Sequence, residues 1–342
     1  MIQLDRYSRQ ILFQPIGEEG QKRLLNGRVA IVGIGALGTV IANHLVRSGV
    51  GNIRLIDRDV VEYSNLQRQT LFNEEDARLH LPKAIAASRI LTSINSSIEI
   101  DSVITDLNLD NAEELLGGFD CIVDGTDNFM TRYLINDVAV KHNIPWIYGG
   151  AVSSRGMYAV IKPNQTPCFR CLFPHAPTNT GETCDMIGVL SPITDIIGSF
   201  QAIETIKLLA GAKTNSNLEQ LDIWNNSSLQ MDISKGRNPK CPTCGERNFE
   251  FLDRSSHFQV SYVSLCGRDT VQINPRQKMT IDFMNLPARL MKNGKVSYNE
   301  FLIRFSPDNE NTMVIFKDGR VLVHGTNDIS KAKILYSKYM GS

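Results

Sequence analysis

Hydrophobic and polar positions follow two different periods along the first 150 residues. Five short apolar runs are rich in β-branched residues, and the first four are each followed by a segment with the period of an amphipathic helix. The apolar runs read RVAIVG, NIRLID, IEIDSVI, DCIVDGT and PWIYGG, and the helical segments cover residues 36–48, 82–94, 111–116 and 129–142. Strands that alternate with helices at this spacing predict a doubly wound parallel sheet of the Rossmann-like α/β class.

A second pattern begins after residue 150. The strand-like run RGMYAVIKP precedes a proline-containing loop, one long helical segment over 192–209 and two short strands that end in NPKCPTCGE. From residue 251, the strand-like runs VSLCGRDTVQI, FLIRFSP and TMVIFKDGRVLVHGT alternate with helical segments at 283–292 and 329–339, and Asp318-Gly319 is a hairpin signal. We therefore predict one domain over 1–250, with halves over 1–150 and 151–250, and a small α/β domain of unknown role over 251–342.

The glycine motif GIGALG lies between the first predicted strand and the first predicted helix. Gly33 permits a tight turn, Gly35 lets the backbone approach a phosphate, and Gly38 lets the helix pack closely on the strand. The helix N-terminus offers N–H groups to an anion, and Asp57 ends the second strand, where a carboxylate can bind ribose hydroxyls. These features indicate a nucleotide site without distinguishing NAD from ATP.

Polar residues beyond the second and fourth strands favour ATP. Hydride transfer has no use for cations and spare aspartates around the phosphates, whereas attack on a phosphate needs them. Arg68 and Lys83 can neutralise charge on the phosphates, and Asp127 can bind Mg²⁺. The polar residues that we expect near the nucleotide are Asp59, Asn65, Arg68, Gln69, Lys83, Asp127 and Asn128. The alternative is a set of surface salt bridges, with Asp127 capping a helix.

Four of the seven cysteines form two CxxC pairs, Cys168 with Cys171 and Cys241 with Cys244. In a reducing compartment two such pairs favour a tetrahedral zinc ion over disulfides. Because all four ligands are cysteines, no position is left open for catalysis, and we predict a structural zinc site that joins distant parts of the chain. A redox role is disfavoured because neither pair is predicted to open a helix after a strand.

Charge and the N-terminal sequence limit the classes of function. The 342 residues carry 36 basic and 36 acidic side chains, so nothing indicates a broad electrostatic surface for nucleic acid or for an anionic membrane. The N-terminus MIQLDRYSRQ has no apolar core of a signal peptide. We therefore expect a soluble cytoplasmic protein that binds neither nucleic acid nor membrane.

Nine segments occur together in a recognisable order and spacing over roughly the first 250 residues: RYSRQ, GIGALG, DRDVVEYSNLQRQTLF, LPKA, DGTDNFMTRYLIND, PCFRC, TCDMIGVLSP, GSFQAIETIKLLAG and CPTCG. In these segments the chain resembles the ThiF/MoeB/HesA family, bacterial relatives of the ubiquitin-activating enzymes. It looks most similar to the ThiF-type adenylyltransferases of thiamine biosynthesis, and the MoeB type of molybdopterin synthesis is a near neighbour.

The resemblance implies an activity and its partners. Members of the family use ATP to adenylate the C-terminal glycine carboxylate of a ubiquitin-like sulfur carrier of the ThiS or MoaD kind. Sulfur from a donor such as a cysteine desulfurase then replaces AMP and leaves a thiocarboxylate. The resemblance also implies that residues 1–250 form the adenylation domain, with the nucleotide in the first half and the carrier and zinc in the second.

Individual residues carry over from the family by position. Gly35, Gly38 and Asp57 would hold the nucleotide, and Asp59 and Asn65 would line its ribose and phosphates. Contacts with the phosphates are implied for Arg68 and Lys83, and binding of Mg²⁺ is implied for Asp127. Arg9 matches a residue that reaches from one subunit into the nucleotide site of the other, which implies a homodimer. Cys184 matches a cysteine that can become linked to the activated carrier.

Three other interpretations stay open at this point. An NAD-dependent oxidoreductase is disfavoured by Arg68, Lys83 and Asp127, and a non-catalytic scaffold that binds the carrier is disfavoured by the same residues. Within the family, the carboxylate could instead belong to a peptide or to a modified tRNA. The neutral net charge argues against tRNA.

Overall fold

The computed structural model describes residues 4–175, 187–253, 262–265, 269–274 and 281–340, with the backbone alone for 262–265. Internal contacts divide the chain into two compact units, Met1–Ser256 and His257–Ser342. Within the described part of the chain, no helix is long and apolar enough to cross a membrane.

The first unit is built on one eight-stranded sheet with the order β3-β2-β1-β4-β5-β6-β7-β8. Its strands are β1 Arg28–Val32, β2 Asn52–Asp57, β3 Glu99–Ile104, β4 Cys121–Asp124, β5 Trp146–Val152, β6 Arg155–Ile161, β7 Asn217–Asp222 and β8 Ser227–Asp232. Strands β1 to β5 run parallel, and β6, β7 and β8 are each antiparallel to their neighbours. The predicted doubly wound sheet is confirmed, and an antiparallel extension is added to it.

Helices cover both faces of this sheet. They are α1 Ser8–Ile11, α2 Gly17–Asn26, α3 Ala36–Ser48, α4 Glu74–Arg78, α5 Lys83–Ile94, α6 Ala112–Leu116, α7 Phe129–His142, α8 Phe169–Leu172 and α9 Ser191–Ala210. One core cluster joins α3, α5 and α9 to the sheet through side chains such as Ile41, Ala87 and Ile197. A second cluster lies under α7, around Leu134 and Val138. The near-continuous apolar strands are therefore buried on both faces, as a parallel sheet requires.

The carboxyl ends of the central parallel strands meet at one edge of the sheet. In the register, Val32 at the end of β1 lies between Ile56 of β2 and Asp124 of β4. The glycine motif follows β1 directly, Asp57 ends β2, and Asp124 ends β4. Since ligands of open α/β sheets bind outside these ends, the fold brings the predicted polar residues to the expected position.

The second unit contains a six-stranded antiparallel sheet with the order β11-β12-β13-β14-β10-β9. Its strands are β9 Tyr262–Leu265, β10 Thr270–Ile273, β11 Lys295–Tyr298, β12 Leu302–Ser306, β13 Thr312–Phe316 and β14 Val321–His324, and its helices are α10 Leu286–Leu290 and α11 Ile329–Met340. Phe305, Val323 and Ala332 belong to its own apolar core. A small α/β appendage was predicted, and this unit confirms it.

Details of the second unit differ from the sequence prediction. The run VSLCGRDTVQI contributes two antiparallel strands, and the helix expected over 283–292 is only five residues long. Strand β11 was not predicted, because only Val296 and Tyr298 give the segment an apolar character. The Asp318-Gly319 hairpin is confirmed between β13 and β14, where Gly319 has a φ of +88°.

Candidate nucleotide site and metal centre

Three glycines bring the backbones of two loops into direct contact. Gly33 has a φ of +86°, in the left-handed region that favours glycine. A Cβ on Gly38 or on Gly125 would collide with the carbonyl oxygen of Gly33. Gly125 belongs to the DGTDN segment and was not predicted as a site residue, although a glycine directly after a strand end is the signal that marks it. The glycine turn is thus fixed by the loop after β4.

The N-terminus of α3 is open to an anion. Gly35 is its N-cap, and no side chain in the described chain caps it. A Cβ on Gly35 would meet only Gln69 Nε2, at 3.8 Å. Helix α7 differs, because Asn128 Oδ1 accepts hydrogen bonds from the N–H groups of Met130 at 2.8 Å and Thr131 at 3.4 Å. The first-turn N–H groups of α3 therefore remain for a phosphate, and the cap of α7 is Asn128 rather than Asp127.

The Asp57 carboxylate holds the glycine turn. Its Oδ2 accepts from the Ile34 N–H at 2.6 Å and its Oδ1 from the Asp59 N–H at 2.7 Å. Burial raises the pKa of Asp57, and the charge of Lys83 acts against that rise. A carboxylate oxygen can accept more than one hydrogen bond, so ribose binding by Asp57 stays a prediction.

A buried lysine and a partly buried arginine lie among three carboxylates next to Asp57. Lys83 Nζ is 3.4 Å from Asp59 Oδ2, and the Lys83 N–H donates to the Asp59 carbonyl. Arg58 Nη1 is 3.0 Å from Asp106 Oδ1, and its Nε is 3.8 Å from Asp59 Oδ1. Burial lowers the pKa of Arg58, but the charges of Asp106, Asp59 and Asp127 together raise it above its ordinary value.

Sequence reasoning identified Lys83 and Asp59 but missed Arg58 and Asp106. Arg58 lies between two predicted residues in IDRDV, which is the signal that could have found it. Asp106 follows β3, a strand from which no site residue was predicted. Polar side chains at this edge therefore follow β3 as well as β2 and β4.

The segment after β2 brings Asn65 and Gln69 to the same edge. Asn65 Oδ1 accepts from the Glu62 N–H at 3.1 Å, which orders the short helical turn. Gln69 is buried beside Gly35, and its Oε1 has no hydrogen-bond partner among the described residues. Arg68 is half-buried and donates to the Ser64 carbonyl at 3.0 Å. An unsatisfied buried acceptor at the glycine turn is a feature that a ligand donor would satisfy.

The loop after β4 is tied down by one buried ion pair. Arg132 Nε is 2.9 Å from Asp124 Oδ2, and Asp124 Oδ1 accepts from the N–H and the hydroxyl of Thr126. Burial lowers the pKa of Arg132, but the charge and hydrogen bond of Asp124, together with Tyr148 and Asp127, raise it above its ordinary value. Arg132 Nη2 also donates to the Gly149 carbonyl at 3.0 Å. Arg132 was missed in the sequence, although it stands four residues after the cap of α7.

A glutamine on α9 closes the space between β4 and β5. Gln201 Nε2 donates to the carbonyls of Asp124 at 2.7 Å and Ile147 at 3.2 Å. Its amide occupies the position where a side chain on Gly149 would lie. With Arg132 and Gln201 in place, the loop carries Asp127 as an exposed carboxylate, close enough to act on the pKa values of Arg58 and Arg132.

One predicted catalytic residue is not brought to this edge, and another is not described. Arg9 is exposed on α1, which is fastened to the far end of α3 because Gln10 Nε2 donates to the Ser48 carbonyl at 2.9 Å. Helix α3 is 13 residues long, so about 20 Å separates this end from the glycine motif. Cys184 lies outside the described residues.

Four cysteine sulfurs converge between the loop after β6 and the segment after β8. The Sγ atoms of Cys168, Cys171, Cys241 and Cys244 all lie within 4.8 Å of one another. Three of these separations are 3.9, 3.7 and 3.4 Å. A tetrahedral zinc ion with bonds of about 2.3 Å needs sulfurs about 3.8 Å apart. The predicted four-cysteine group is present, and its spacing fits zinc rather than disulfides, which need about 2.05 Å.

The local backbone explains how the cysteines converge. The Gly245 and Glu246 N–H groups both donate to the Cys241 carbonyl, and a Cβ on Gly245 would collide with the Pro239 carbonyl oxygen. Cys168 is the N-cap of the short helix α8, so the expectation that neither pair opens a helix is wrong for the first pair. Because Cys168 has three other thiols around it, the grouping still favours a metal over a redox pair.

The fold and this edge define an α/β protein with a candidate nucleotide site and a four-cysteine group whose spacing fits a metal ion. The chain belongs to the ThiF family, whose model matches residues 7–243. It is 43% identical over 337 residues to the sulfur carrier protein ThiS adenylyltransferase of Bacillus subtilis, covering 98% of this chain and 99% of that protein. The predicted family is therefore confirmed.

Two further comparisons agree with the fold. The adenylyltransferase and sulfurtransferase MOCS3 of Arabidopsis thaliana is 39% identical over 251 residues, which are 72% of this chain and 53% of that protein. A crystal structure of Escherichia coli MccB with ATP superposes with a TM-score of 0.62 at 25% identity, covering 70% of this chain and 74% of that one.

Two glycine substitutions are expected to separate nucleotide binding from stability. Gly35→Ala has room for its methyl group in the protein, so its free energy of unfolding should change by less than about 1 kcal/mol, while the narrowed phosphate site should weaken ATP binding about tenfold. Gly125→Ala would press on the Gly33 carbonyl and should lose about 1–3 kcal/mol of stability. Denaturant unfolding and ATP titration measure both quantities. Unchanged ATP affinity in a folded Gly35→Ala variant would contradict the predicted site.

Proposed function

We propose that the protein is an ATP-dependent adenylyltransferase. It would act on the C-terminal glycine carboxylate of a ubiquitin-like sulfur carrier and prepare it for thiocarboxylate formation in thiamine biosynthesis. The observation that carries the proposal is the 43% identity, over nearly the full length of both chains, to a ThiS adenylyltransferase. The open N-terminus of α3 and the cations at the same edge of the sheet supply the physical basis for binding the phosphates of ATP.

The carboxyl edge of the sheet would hold ATP. The uncapped N–H groups at the start of α3 suit the phosphates, with Gly35 and Gly38 keeping the backbone close. Gln69 Oε1 is an unused acceptor at the same turn. Asp57 and Asp59 stand where the ribose of a bound nucleotide lies in this fold class.

The reaction is an attack of a carboxylate on the α-phosphate. A carrier carboxylate oxygen forms a bond to the α-phosphorus, the bond from that phosphorus to the oxygen bridging to the β-phosphate breaks, and pyrophosphate leaves with the electron pair. Negative charge grows on the departing group, and Lys83, Arg68 and Arg58 are the cations at this edge that can offset it. The product is an acyl adenylate, a far better acyl donor than the free carboxylate.

Asp127 would hold the magnesium ion. Mg²⁺ in phosphate sites takes one or two carboxylates together with phosphate oxygens and water, and the exposed Asp127 carboxylate on its fixed loop fits that donor set. When bound, Mg²⁺ would supply positive charge beside the phosphates. Arg132 and Asp124 would act as positioning residues, because they hold the loop that carries Asp127.

A homodimer would complete the nucleotide site with Arg9. Within its own chain Arg9 lies at the far end of α3, about 20 Å from the glycine motif, and an arginine side chain cannot span that distance. Arg9 can therefore contact a nucleotide only in the site of another subunit. The four-cysteine centre would hold structural zinc. The Cys184 thiolate would attack the acyl carbon of the adenylate, forming a thioester while AMP leaves with the electron pair of the acyl–oxygen bond. A sulfur nucleophile from a donor such as a cysteine desulfurase would then take the acyl group and release the Cys184 thiolate. We place these steps in the cytoplasm.

Carrier-dependent exchange of pyrophosphate into ATP tests the proposal. We expect exchange with a ThiS-type carrier and none with the same carrier lacking its two terminal glycines, because the carboxylate is then misplaced. A MoaD-type carrier, assayed in parallel, distinguishes the molybdopterin alternative. Absence of exchange with both carriers, together with an NAD-dependent absorbance change, would contradict the adenylyltransferase.

A further inference from the structure

Phe169 lies inside the first CxxC pair and in the middle of a group of aromatic rings. It directly follows Cys168, and its side chain is fully buried. Rings of the described chain surround it at centroid distances from 4.7 to 6.0 Å, and they belong to Phe129, Tyr133, Trp146, Tyr148 and Phe173. Rings packed at such distances attract one another and leave little free space. The arrangement of these rings therefore depends on where the cysteine segment holds Phe169.

Helix α7 is hydrogen-bonded to both cysteine segments. The Phe169 N–H donates to Asn136 Oδ1 at 2.8 Å, and Asn136 is fully buried. On the next residue of α7, Asp137 Oδ1 accepts from the hydroxyl of Thr243 at 3.0 Å. Thr243 lies inside the second CxxC pair. Because buried hydrogen bonds of this kind are costly to leave unmade, the four-cysteine centre and α7 hold each other in position.

Two of the rings around Phe169 also contact the Arg132 guanidinium. Arg132 Cζ lies over the Phe129 ring at 5.3 Å from its centroid, and over the Tyr148 ring at 5.2 Å. A guanidinium over aromatic faces is attracted by their quadrupoles in addition to being packed against them. The centroid of the Phe169 ring is 6.0 Å from that of Phe129 and 5.1 Å from that of Tyr148. Phe169 therefore supports both rings on which Arg132 rests.

Arg132 in turn fixes the loop that carries Asp127. Its Nη2 donates at 2.5 Å to the carbonyl of Thr126, the residue before Asp127, and its Nε pairs with Asp124. Phe129 begins α7 only two residues after Asp127. A shift of Phe129 or of Arg132 therefore moves the Asp127 carboxylate with it.

We propose that Phe169 is a positioning residue that couples the four-cysteine centre to the Asp127 loop. A metal ion held by the four thiolates fixes the first CxxC segment, and the Phe169 ring then supports the rings under Arg132. The protein would therefore bind Mg·ATP tightly only while the cysteines hold their metal. This proposal rests on the magnesium role of Asp127 in the proposed function, and it gives the metal centre a part in nucleotide binding as well as in stability.

Three variants change aromatic rings and leave every cysteine in place. Phe129→Leu acts at a partly exposed position, and Phe169→Met keeps a flexible apolar side chain in the core but removes the ring. Phe119→Leu is the matched control. Phe119 belongs to the same core cluster, and its ring also lies under arginines, but it precedes β4 at the end away from the Asp127 loop.

ATP affinity, measured by calorimetry in Mg²⁺ and again in EDTA, distinguishes a positioning role from general damage to the fold. In Phe129→Leu and Phe169→Met the Kd of Mg·ATP should rise about tenfold, because Asp127 is displaced from the ion. The Kd of ATP in EDTA should stay within about twofold, because the open N-terminus of α3 is unchanged. Phe119→Leu should keep both values within about twofold. Equal Kd values of Mg·ATP for Phe129→Leu and Phe119→Leu would overturn the proposal.

Zinc affinity, measured without nucleotide by competition with a chelator, tests the coupling from its other end. Phe129→Leu should weaken zinc binding at least about threefold, although Phe129 is not a ligand, because the ring that packs against Phe169 is lost. Phe119→Leu should bind zinc within about twofold of the wild type. Wild-type zinc affinity in the Phe129→Leu protein would make these rings an ordinary part of the core and overturn the proposal.

The two affinities also separate this proposal from the function on which it rests. If the wild type binds no ATP and exchanges no pyrophosphate, then the adenylyltransferase fails. A zinc affinity that weakens in Phe129→Leu but not in Phe119→Leu would still establish the coupling between the loop and the metal centre. If the wild type binds Mg·ATP, a change in only one of the two affinities of Phe129→Leu would overturn the coupling and leave the proposed function standing.

Discussion

Replacing Cys241 by serine is expected to remove the zinc and much of the stability of the first unit. Structural zinc binds with an apparent free energy of about 10–16 kcal/mol, which is lost as folding energy when the site fails. Loss of one thiolate would leave three sulfurs, within 4.8 Å of one another in the present arrangement, without the charge balance of the ion. Metal analysis of the purified protein and denaturant unfolding should both show the effect, against close to one zinc per chain in the wild type.

Cys121→Ser is the matched control for this experiment. Cys121 is fully buried in β4, is not bonded to another cysteine, and lies outside the four-cysteine group. Its replacement makes the same chemical change in a buried site and should cost about 1–3 kcal/mol while leaving the zinc content unchanged. Full zinc in the Cys241→Ser protein would remove these cysteines from the metal site.

Two inactive variants, Arg9→Ala and Asp127→Ala, are expected to regain activity when they are mixed and allowed to exchange subunits. In a mixed dimer one nucleotide site would receive Arg9 from one subunit and Asp127 from the other. Random exchange makes half of the dimers mixed, each with one intact site of two, so recovery should reach about a quarter of the wild-type rate. An arginine that offsets transition-state charge is worth about 10³-fold or more, so each variant alone should be nearly inactive.

Arg6→Ala is the control for the effect of charge near the N-terminus. Arg6 is exposed in the same segment but donates to the Ile94 carbonyl of its own chain. That variant should stay active by itself. If verified subunit exchange restores no activity to the Arg9 and Asp127 mixture, then Arg9 does not act across a dimer.

The parallel half of the fold could be predicted because two patterns in the sequence indicate it, one for the strands and one for the helices. After its exposed first residue, Arg28, strand β1 is apolar because it is covered on both faces, and the helices between the strands have the 3.6-residue period. Gly33, Gly35 and Gly38 could be predicted because they form one short sequence motif and each has a role in the backbone geometry of the turn. The four cysteines were found because a CxxC spacing already reflects ligand geometry.

The residues that sequence reasoning missed owe their position to partners far along the chain. Arg132 meets Asp124 eight residues away, but also the carbonyl of Gly149 on the next strand. Arg58 meets Asp106 across 48 residues, and the only sequence signal for this pair is the place of Arg58 between Asp57 and Asp59. The short helix α10 was predicted too long, because Met284 and Met291 extend the apolar pattern on both sides of Leu286–Leu290. Such details follow from tertiary packing, which a single sequence does not display.

The amide of Gln201 above Gly149 links two positions that are 52 residues apart in the chain. The side chain fills the space where even a methyl group at position 149 would stand, while its Nε2 satisfies two strand carbonyls. Neither position can change by itself: a larger residue at 149 collides with the amide, and a shorter residue at 201 leaves both carbonyls without their donor. During divergence the two sites must therefore covary, with a bulkier residue at 149 appearing only alongside a shorter one at 201.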